Sequence, residues 1–523
     1  MIVGNSNQKK GKEIYLFSFF FIFDIMNNRV YRMKKLNNKG FAITVILYGI
    51  VMMICMILLL TLSIMAGQRK NDKALIDNIK DDLNNVANNE FCATGLDEID
   101  TTSHAAAPEL IDGMIPVIYN ECKDAWVKAD PTTVWYNYSK QMWANAVTVS
   151  ASTREKYEKI GVGETIDMND INTMWVWIPR YEYQIPVGTA GNSSVCSWDN
   201  SLMCYPTPGD IKINFINKEQ TTASQDYKLM SAFQFNGEEI NGFWAAKFEP
   251  SGTIGSCTND NCSEGDIQIK PNQISLTNKN VSTFYFATKS MKNNKFEDYG
   301  FEQIATSDIH MMKNTEWAAI AYLSQSIYGK YGNPTYTNEV GLEKKIYKNN
   351  VTTDANYGPG VTGCAGDIVD GAPIYANSCP DGFTYETDNG VKASTTGNIS
   401  GIYDMVGGSL EYMMARYTDG TFTSDQSGFT STNLPGSEYY DSYSNEDATL
   451  ACNGSECFGH ALSETTRWHS NAFQMPNAAN RYLVRDGGGG INSNEQTGIF
   501  AVYQNTGAAS TDRSFRIVIK PYS

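Results

Sequence analysis

Ten of the eleven cysteines could form disulfides, because they occur along the chain as five close neighbour pairs. An even number of cysteines in short sequential loops is typical of disulfides in an oxidising compartment. A zinc site is a weaker explanation, since the sequence has no CxxC motif and no Cys–His cluster. Ten unpaired buried thiols remain the alternative. The predicted disulfides are Cys92–Cys122, Cys196–Cys204, Cys257–Cys262, Cys364–Cys379 and Cys452–Cys457.

The other side chains that could do chemistry form no recognisable catalytic pattern. The chain has four histidines, His104, His310, His460 and His469, of which the last two could meet in space. No Ser-His-Asp order, GxSxG motif or phosphate-binding loop occurs. With 57 acidic residues, closeness in sequence does not identify an acid–base pair. We therefore predict no catalytic residue and no metal site.

The segment 487–513 is the best candidate for ligand binding. It contains small and polar residues around a few aromatics, a composition that makes an adaptable recognition surface in antibody loops. Ordinary exposed loops have a similar composition, and the sequence does not choose between a carbohydrate and a protein ligand. The candidate residues are Asn492, Asn494, Gln496, Tyr503, Asn505 and Asp512.

The element expected to position this domain is an apolar run near the N-terminus. No charged residue occurs between Lys39 and Arg69, a stretch of 29 residues that could cross a bilayer core of roughly 30 Å as a helix. The flanking charges weakly favour a cytoplasmic N-terminus, and the cysteine pairs favour an external C-terminal domain. The sequence thus predicts a single-pass membrane protein with lipid as one partner.

The same run resembles the N-terminus of type IV prepilins and pseudopilins of bacteria. Gly40 and Phe41 match the pair between which the family's peptidase cuts, whereas Val45 replaces the glutamate that helps subunits to register in a filament. The resemblance implies a bacterial cell membrane, with processing at Gly40–Phe41 and self-assembly through the N-terminal helix as open questions. An uncleaved signal anchor is the alternative.

These observations predict that the chain is divided into five segments. Residues 1–32 are expected to be a spurious or disordered extension, residues 33–67 a prepilin-like leader and transmembrane helix, and residues 68–90 an amphipathic stalk helix. Residues 91–173 are expected to form a small strand-rich domain. Residues 174–523 form the main domain, in which 174–178, 284–287 and 514–519 read as strands and 315–328 reads as a helix. The mixture predicts an α+β fold.

Five phrases in the main domain resemble formylglycine-generating enzymes. What the resemblance implies is a C-type-lectin-like fold of the sulfatase-modifying type, in which a segment equivalent to 487–513 is exposed and is diversified by retroelements in some members. The phrases are GFWAAKFE at 242–249, MMKNTEWA at 311–318, NISGIYDMVGGSLEY at 398–412, VRDGG at 484–488 and SFRIV at 514–518.

The family's chemistry is not expected here. Its oxidases use a cysteine pair just after an Arg-Gly-Gly phrase, which VRDGG at 484–488 resembles. Here residues 486–513 contain no cysteine. Gly408 replaces an asparagine that is associated with calcium in the family, although Glu411 remains. We therefore expect no cofactor, and the sequence does not support a calcium site. The net charge of −16 argues against nucleic acid as a partner.

Three functional hypotheses remain. The preferred one is a membrane-anchored display protein whose catalytically inactive lectin-like domain binds an extracellular protein or carbohydrate. The second is a pseudopilin-like structural subunit of a type IV pilus or a type II secretion-like system, and Val45 counts against it. The third is an enzyme of the formylglycine-generating type, and the missing cysteine pair counts against it.

Overall fold

The structure is a computed structural model, and it describes Met52 and eleven ranges of the C-terminal part. The chain divides into two compact units, Met1–Asn89 and Glu90–Ser523, and every described residue except Met52 belongs to the second. The described ranges are 99–185, 209–258, 261–262, 265–293, 299–301, 307–336, 360–365, 378–444, 459–465, 468–485 and 498–522.

Short β-strands dominate the described residues. Three α-helices accompany them, α1 at Ala151–Lys159, α2 at Val281–Asn293 and α3 at Asn314–Ser324. The strands in chain order are β1 Ile115–Asn120, β2 Ala125–Lys128, β3 Asn145–Val149, β4 Ile171–Pro179, β5 Tyr181–Gln184, β6 Lys212–Phe215, β7 Lys228–Leu229, β8 Gln234–Phe235, β9 Glu238–Glu239, β10 Gly242–Ala246, β11 Ser251–Ile254, β12 Cys257–Thr258, β13 Asn261–Cys262, β14 Gly265–Gln268, β15 Ser307–Met311, β16 Leu410–Tyr417, β17 Asp441–Tyr443, β18 Tyr482–Arg485, β19 Val502–Asn505, β20 Arg513–Phe515 and β21 Ile517–Pro521.

The main sheet has seven antiparallel strands in the order β15-β21-β10-β4-β3-β1-β2. Its central strands β4 and β10 are buried along almost their whole length. Trp177 and Trp244 lie opposite each other in the register, and their ring centroids are 5.3 Å apart. Strands buried on both faces carry continuous apolar runs rather than alternating ones, which explains the sequence of β4. Because β1 to β3 belong to this sheet, it crosses the boundary expected at residue 174.

A second sheet positions the C-terminal segment. Its strands run in the order β17-β16-β18-β19, and β20 pairs with β16 in parallel. Only Arg516 separates β20 from β21 of the main sheet, so the chain changes sheets at this residue. The Arg516 side chain is buried and binds Glu411 of β16, with Nε 3.0 Å from Oε2. This ion pair ties the two sheets together.

Two disulfides join neighbours in the sequence, and both are among the five expected pairs. Cys257 and Cys262 lie directly opposite each other on β12 and β13. Cys364 is bonded to Cys379 across a separation of 15 residues. Cys122 is also disulfide-bonded, and the remaining expected pairs involve residues outside the described ranges.

The predicted fold class is wrong. The described residues form mainly β-sheets with three helices, not the α+β fold of the C-type-lectin type expected behind a long N-terminal helix. The helices contain 9, 13 and 11 residues. At about 1.5 Å per residue, even the longest spans only about 20 Å. The expected helices at 33–67 and 68–90 lie outside the described residues, apart from Met52.

The predicted single-pass membrane localisation is corrected on the same ground. Among the described residues, no helix combines the length and the apolar character needed to cross a bilayer. The predicted extension at 1–32 and the processing pair Gly40 and Phe41 also lie outside the described part of the chain.

Two local predictions can be compared with single elements. Residues 284–287 were predicted as a strand but lie inside α2, where Asn280 caps the helix by accepting the Thr283 N–H at 3.0 Å. The predicted helix at 315–328 is confirmed as α3, although it ends at Ser324. All eleven residues of α3 are buried, so its core-facing side could not be identified from apolar spacing alone.

Candidate ligand-binding groove

The structure places three of the six candidate ligand-binding residues. Tyr503 and Asn505 belong to β19, and Asp512 precedes β20. Tyr503 and Asp512 are each only 8% exposed. Asn492, Asn494 and Gln496 lie outside the described residues. In the pairing of β18 with β19, Tyr482 lies across from Asn505 and Arg485 lies across from Val502. The described chain therefore stops after Arg485, at the end of the pairing that is farther from Asn505.

The described candidates serve mainly in local structure. The Asn505 side chain accepts hydrogen bonds from the Tyr412 hydroxyl at 2.8 Å and from the Gly507 N–H at 3.1 Å. Asp512 accepts a hydrogen bond from the Ser510 hydroxyl. Because these polar atoms already have partners, binding at this end of β19 depends on neighbouring residues.

A groove lies beside Asn505, at the end of β19. It has a volume of about 320 Å³ and begins at Thr506, the residue after the strand. Its remaining walls come from a loop at 421–426, which follows β16, and from the chain at 478–481, which leads into β18. The lining residues are Thr421, Phe422, Thr423, Ser424, Asp425, Gln426, Ala478, Ala479, Arg481 and Thr506.

Side-chain hydrogen bonds fix both walls. Asn477 Oδ1 accepts the N–H groups of Ala479 and Asn480 at 2.9 and 3.0 Å, so a short turn carries the alanines. On the opposite wall, Asp425 Oδ1 accepts the Ser427 N–H at 2.9 Å. Thr506 donates to Gln426 Oε1 at 3.2 Å and joins the walls.

An aromatic ring with two cations nearby forms part of the groove. The guanidinium carbon of Arg416 lies 4.0 Å from the centroid of the Phe422 ring, and that of Arg481 lies 5.8 Å from it. Arg416 is buried behind the lining, whereas Phe422 and Arg481 are partly exposed. Guanidinium groups at such distances attract the electron-rich face of a ring, so Phe422 is held in place.

Two buried polar atoms at or near the groove make no hydrogen bond to any described residue. They are Oδ2 of Asp425 and Nε of Arg416. A buried polar atom without a partner costs about 1–3 kcal/mol and calls for an explanation. Asp425 lines the groove, but its Oδ2 is buried, so this carboxylate adds negative charge to the lining rather than an accessible acceptor.

The strongest acid–base constellation in the described residues is closed to solvent. His310 has Nδ1 3.0 Å from Asp308 Oδ1 and Nε2 3.0 Å from Glu316 Oε1. Lys520 Nζ lies 2.8 Å from the same Glu316 oxygen. Burial raises the pKa of Glu316, but the charges of Lys520 and His310 outweigh it and hold that pKa well below its usual range. All four side chains are at most 2% exposed, so the cluster is structural.

His460 and His469 pack against different aromatic rings. The His460 ring packs edge-on against Tyr443, while the His469 ring stacks on Phe500. Within the described ranges, no group of three or more His, Cys, Asp and Glu residues is arranged to hold a metal ion. Cys452 and Cys457 lie outside those ranges.

Sequence reasoning missed the groove, although a signal for it was present. Residues 421–426 read Thr-Phe-Thr-Ser-Asp-Gln, which is one aromatic among small and polar residues. This is the composition that singled out 487–513, but nothing in the sequence brings the loop at 421–426 next to Thr506. The phrases that resemble formylglycine-generating enzymes contain residues of two buried ion pairs. Glu411 binds Arg516, and Glu316 binds Lys520, which lies just after the last phrase.

Comparison with known proteins finds no matching family model and no significantly similar curated protein.

Proposed function

We propose that this chain is a non-catalytic binding protein that recognises an oligosaccharide in the groove beside Asn505. The observation that carries the proposal is the lining of that groove. One aromatic face, at Phe422, is surrounded by hydroxyl, amide and carboxylate groups. Sites for small polar ligands combine a few apolar contacts with precisely placed polar groups.

The chemistry of the lining suits sugars in particular. A sugar ring presents C–H groups on its faces, which can pack on Phe422, and hydroxyls on its edge. Thr421, Thr423 and Ser424 offer hydroxyls that both donate and accept. The walls are joined by side-chain contacts such as that between Thr506 and Gln426, so little ordering is needed on binding.

The burial of the charged side chains supports a binding function rather than a catalytic one. The carboxylates of Glu316 and Glu411 are fully buried and bind Lys520 and Arg516 respectively. A general acid or base must reach the reacting atoms of a substrate. These groups instead stabilise the fold.

The test is a screen of the full chain against immobilised oligosaccharides, with two matched variants. Ala479→Trp would fill the groove from an exposed position of its wall without removing a polar contact. Val162→Trp adds the same side chain at a site that is 64% exposed and does not line the groove. Circular dichroism checks that both variants fold.

We expect the wild type and Val162→Trp to bind the same oligosaccharides, and Ala479→Trp to lose at least about tenfold in affinity, which corresponds to 1.4 kcal/mol. Two results would overturn the proposal. One is a wild type that binds none of the oligosaccharides, and the other is a groove-filled variant that binds as well as the wild type. A wild type that binds a protein but no oligosaccharide would also overturn the proposal.

A further inference from the structure

The two arginines at the groove have no acidic partner. Among the described residues, neither Arg416 nor Arg481 forms an ion pair with a carboxylate. Because the chain has a net charge of −16, it has enough acidic side chains to pair with most of its cations. Two cations near one aromatic ring favour an anionic ligand there, although Asp425 in the same lining opposes them.

Arg481 keeps part of its guanidinium available. Its Nη1 donates to the main-chain oxygens of Tyr417 and Asp419, at 3.0 and 3.3 Å. No acceptor among the described residues binds its Nε or Nη2, and the side chain lines the groove. These two groups form one edge of a planar fork that matches the two oxygens of a carboxylate.

Arg416 strengthens the same field from the interior. It is 6% exposed, its Nε has no hydrogen-bond partner, and its guanidinium stacks on Phe422. A buried cation is screened less by salt than an exposed one. An anionic group bound beside Phe422 would reduce the cost of burying this charge without a partner.

We propose that the groove selects acidic sugars, with the sugar carboxylate on the free edge of Arg481 and the ring on Phe422. This inference rests on the oligosaccharide-binding function proposed above. Asp425 also lines the groove, and its charge disfavours ligands that carry many negative charges there. A ligand with a single carboxylate pairs with Arg481 and meets the least repulsion from Asp425.

The test uses oligosaccharides in matched pairs. The acidic members contain galacturonic, glucuronic or sialic acid, and each partner is the same sugar with its carboxyl groups methyl-esterified. Binding is measured by titration calorimetry with the full chain and with Arg481→Gln and Arg481→Lys. Lys159→Gln is the charge-matched control, because Lys159 is 70% exposed and does not line the groove.

We expect the wild type and Lys159→Gln to bind at least one acidic sugar about tenfold more tightly than its ester, or 1.4 kcal/mol. Arg481→Gln should remove this preference, and Arg481→Lys, which keeps the charge but not the fork, should retain a part of it. The preference should shrink as salt rises from about 0.05 M to about 0.5 M.

The two proposals fail in different ways. If acids and esters bind equally, the inference about acidic sugars is overturned while oligosaccharide binding stands. If the preference survives in Arg481→Gln, the assignment of the carboxylate to Arg481 is overturned. If no sugar of either kind binds, both proposals are overturned.

Discussion

The guanidinium of Arg416 lies 4.0 Å from the centroid of the Phe422 ring, so a buried cation holds the one aromatic ring that lines the groove. Arg416 itself is not among the residues that line the groove. Its Nε has no hydrogen-bond partner among the described residues. An unsatisfied buried polar atom calls for an explanation, and the proposed explanation here is a ligand bound in the groove.

Removing the ring should weaken binding without unfolding the protein. Phe422→Ala should reduce the affinity for the oligosaccharides that bind the wild type by about tenfold, or 1.4 kcal/mol, because the sugar face loses its packing partner. Phe422→Tyr keeps the ring and should bind within about threefold of the wild type. Calorimetric titration measures both, and an unchanged affinity in Phe422→Ala would show that the ring does not contact the ligand.

The Glu411–Arg516 pair should matter for stability. Glu411→Gln should destabilise the fold by about 3–5 kcal/mol, because it leaves the Arg516 charge buried without a counter-charge. The exposed pair Glu155–Lys159 provides the control, and Glu155→Gln should cost less than about 1 kcal/mol. Urea unfolding followed by tryptophan fluorescence gives both values. Equal losses would mean that the buried pair does not hold the two sheets together.

Glu464 should make stability depend on pH. Its carboxylate accepts hydrogen bonds from the Tyr183 and Tyr322 hydroxyls and is buried, and burial raises its pKa from 4.5 to about 7. Between pH 4.5 and about pH 7, the Glu464 carboxyl is ionised in the unfolded chain but protonated in the folded chain. The stabilising contribution of the proton is therefore complete below pH 4.5 and is lost as pH rises towards 7.

The matched variant for this prediction is Glu464→Gln, which keeps an acceptor but does not titrate. Between about pH 5 and about pH 7.5, the wild type should lose on the order of 2–3 kcal/mol more stability than the variant. Urea unfolding at both pH values measures the difference. An identical pH dependence in the two proteins would show that the carboxyl does not hold its proton in the folded state.

The two disulfides should contribute unequally to stability. The Cys364–Cys379 bond closes a loop with a separation of 15 residues, and the Cys257–Cys262 bond closes one of 5. Loop-closure entropy predicts about 3 kcal/mol for the first and about 2 kcal/mol for the second. Paired alanine substitutions at each bond, compared by urea unfolding, measure these values. A larger loss at Cys257–Cys262 would contradict the entropic account.

The sequence predicted the elements whose residues have a strong local preference. The strand predicted at 174–178 lies in β4, and the segment predicted at 514–519 forms β20 and β21. The aromatic run at 284–287 was misassigned, because aromatics favour strands on average while the Asn280 cap and the packing of α2 decide this case. The break at Arg516 depends on Glu411, which is 105 residues away in the chain.

The candidate site was predicted only at its edge. Asn505 lies beside the groove, but its own polar atoms are used in local hydrogen bonds. The residues that form the groove come from 421–426, 478–481 and Thr506. They meet because β18 pairs with both β16 and β19. Strand pairing over such distances leaves no local pattern in the sequence. The resemblance to formylglycine-generating enzymes stays a prediction.

Amide hydrogen–deuterium exchange, with and without the tightest-binding oligosaccharide, tests the central claim most directly. If the sugar occupies the groove, peptides covering 421–426 and 478–481 should exchange more slowly in its presence, and peptides of α1 should not change. Slower exchange confined to 486–497, with none at 421–426, would contradict the account and place binding in the part of the segment 487–513 that the sequence first suggested.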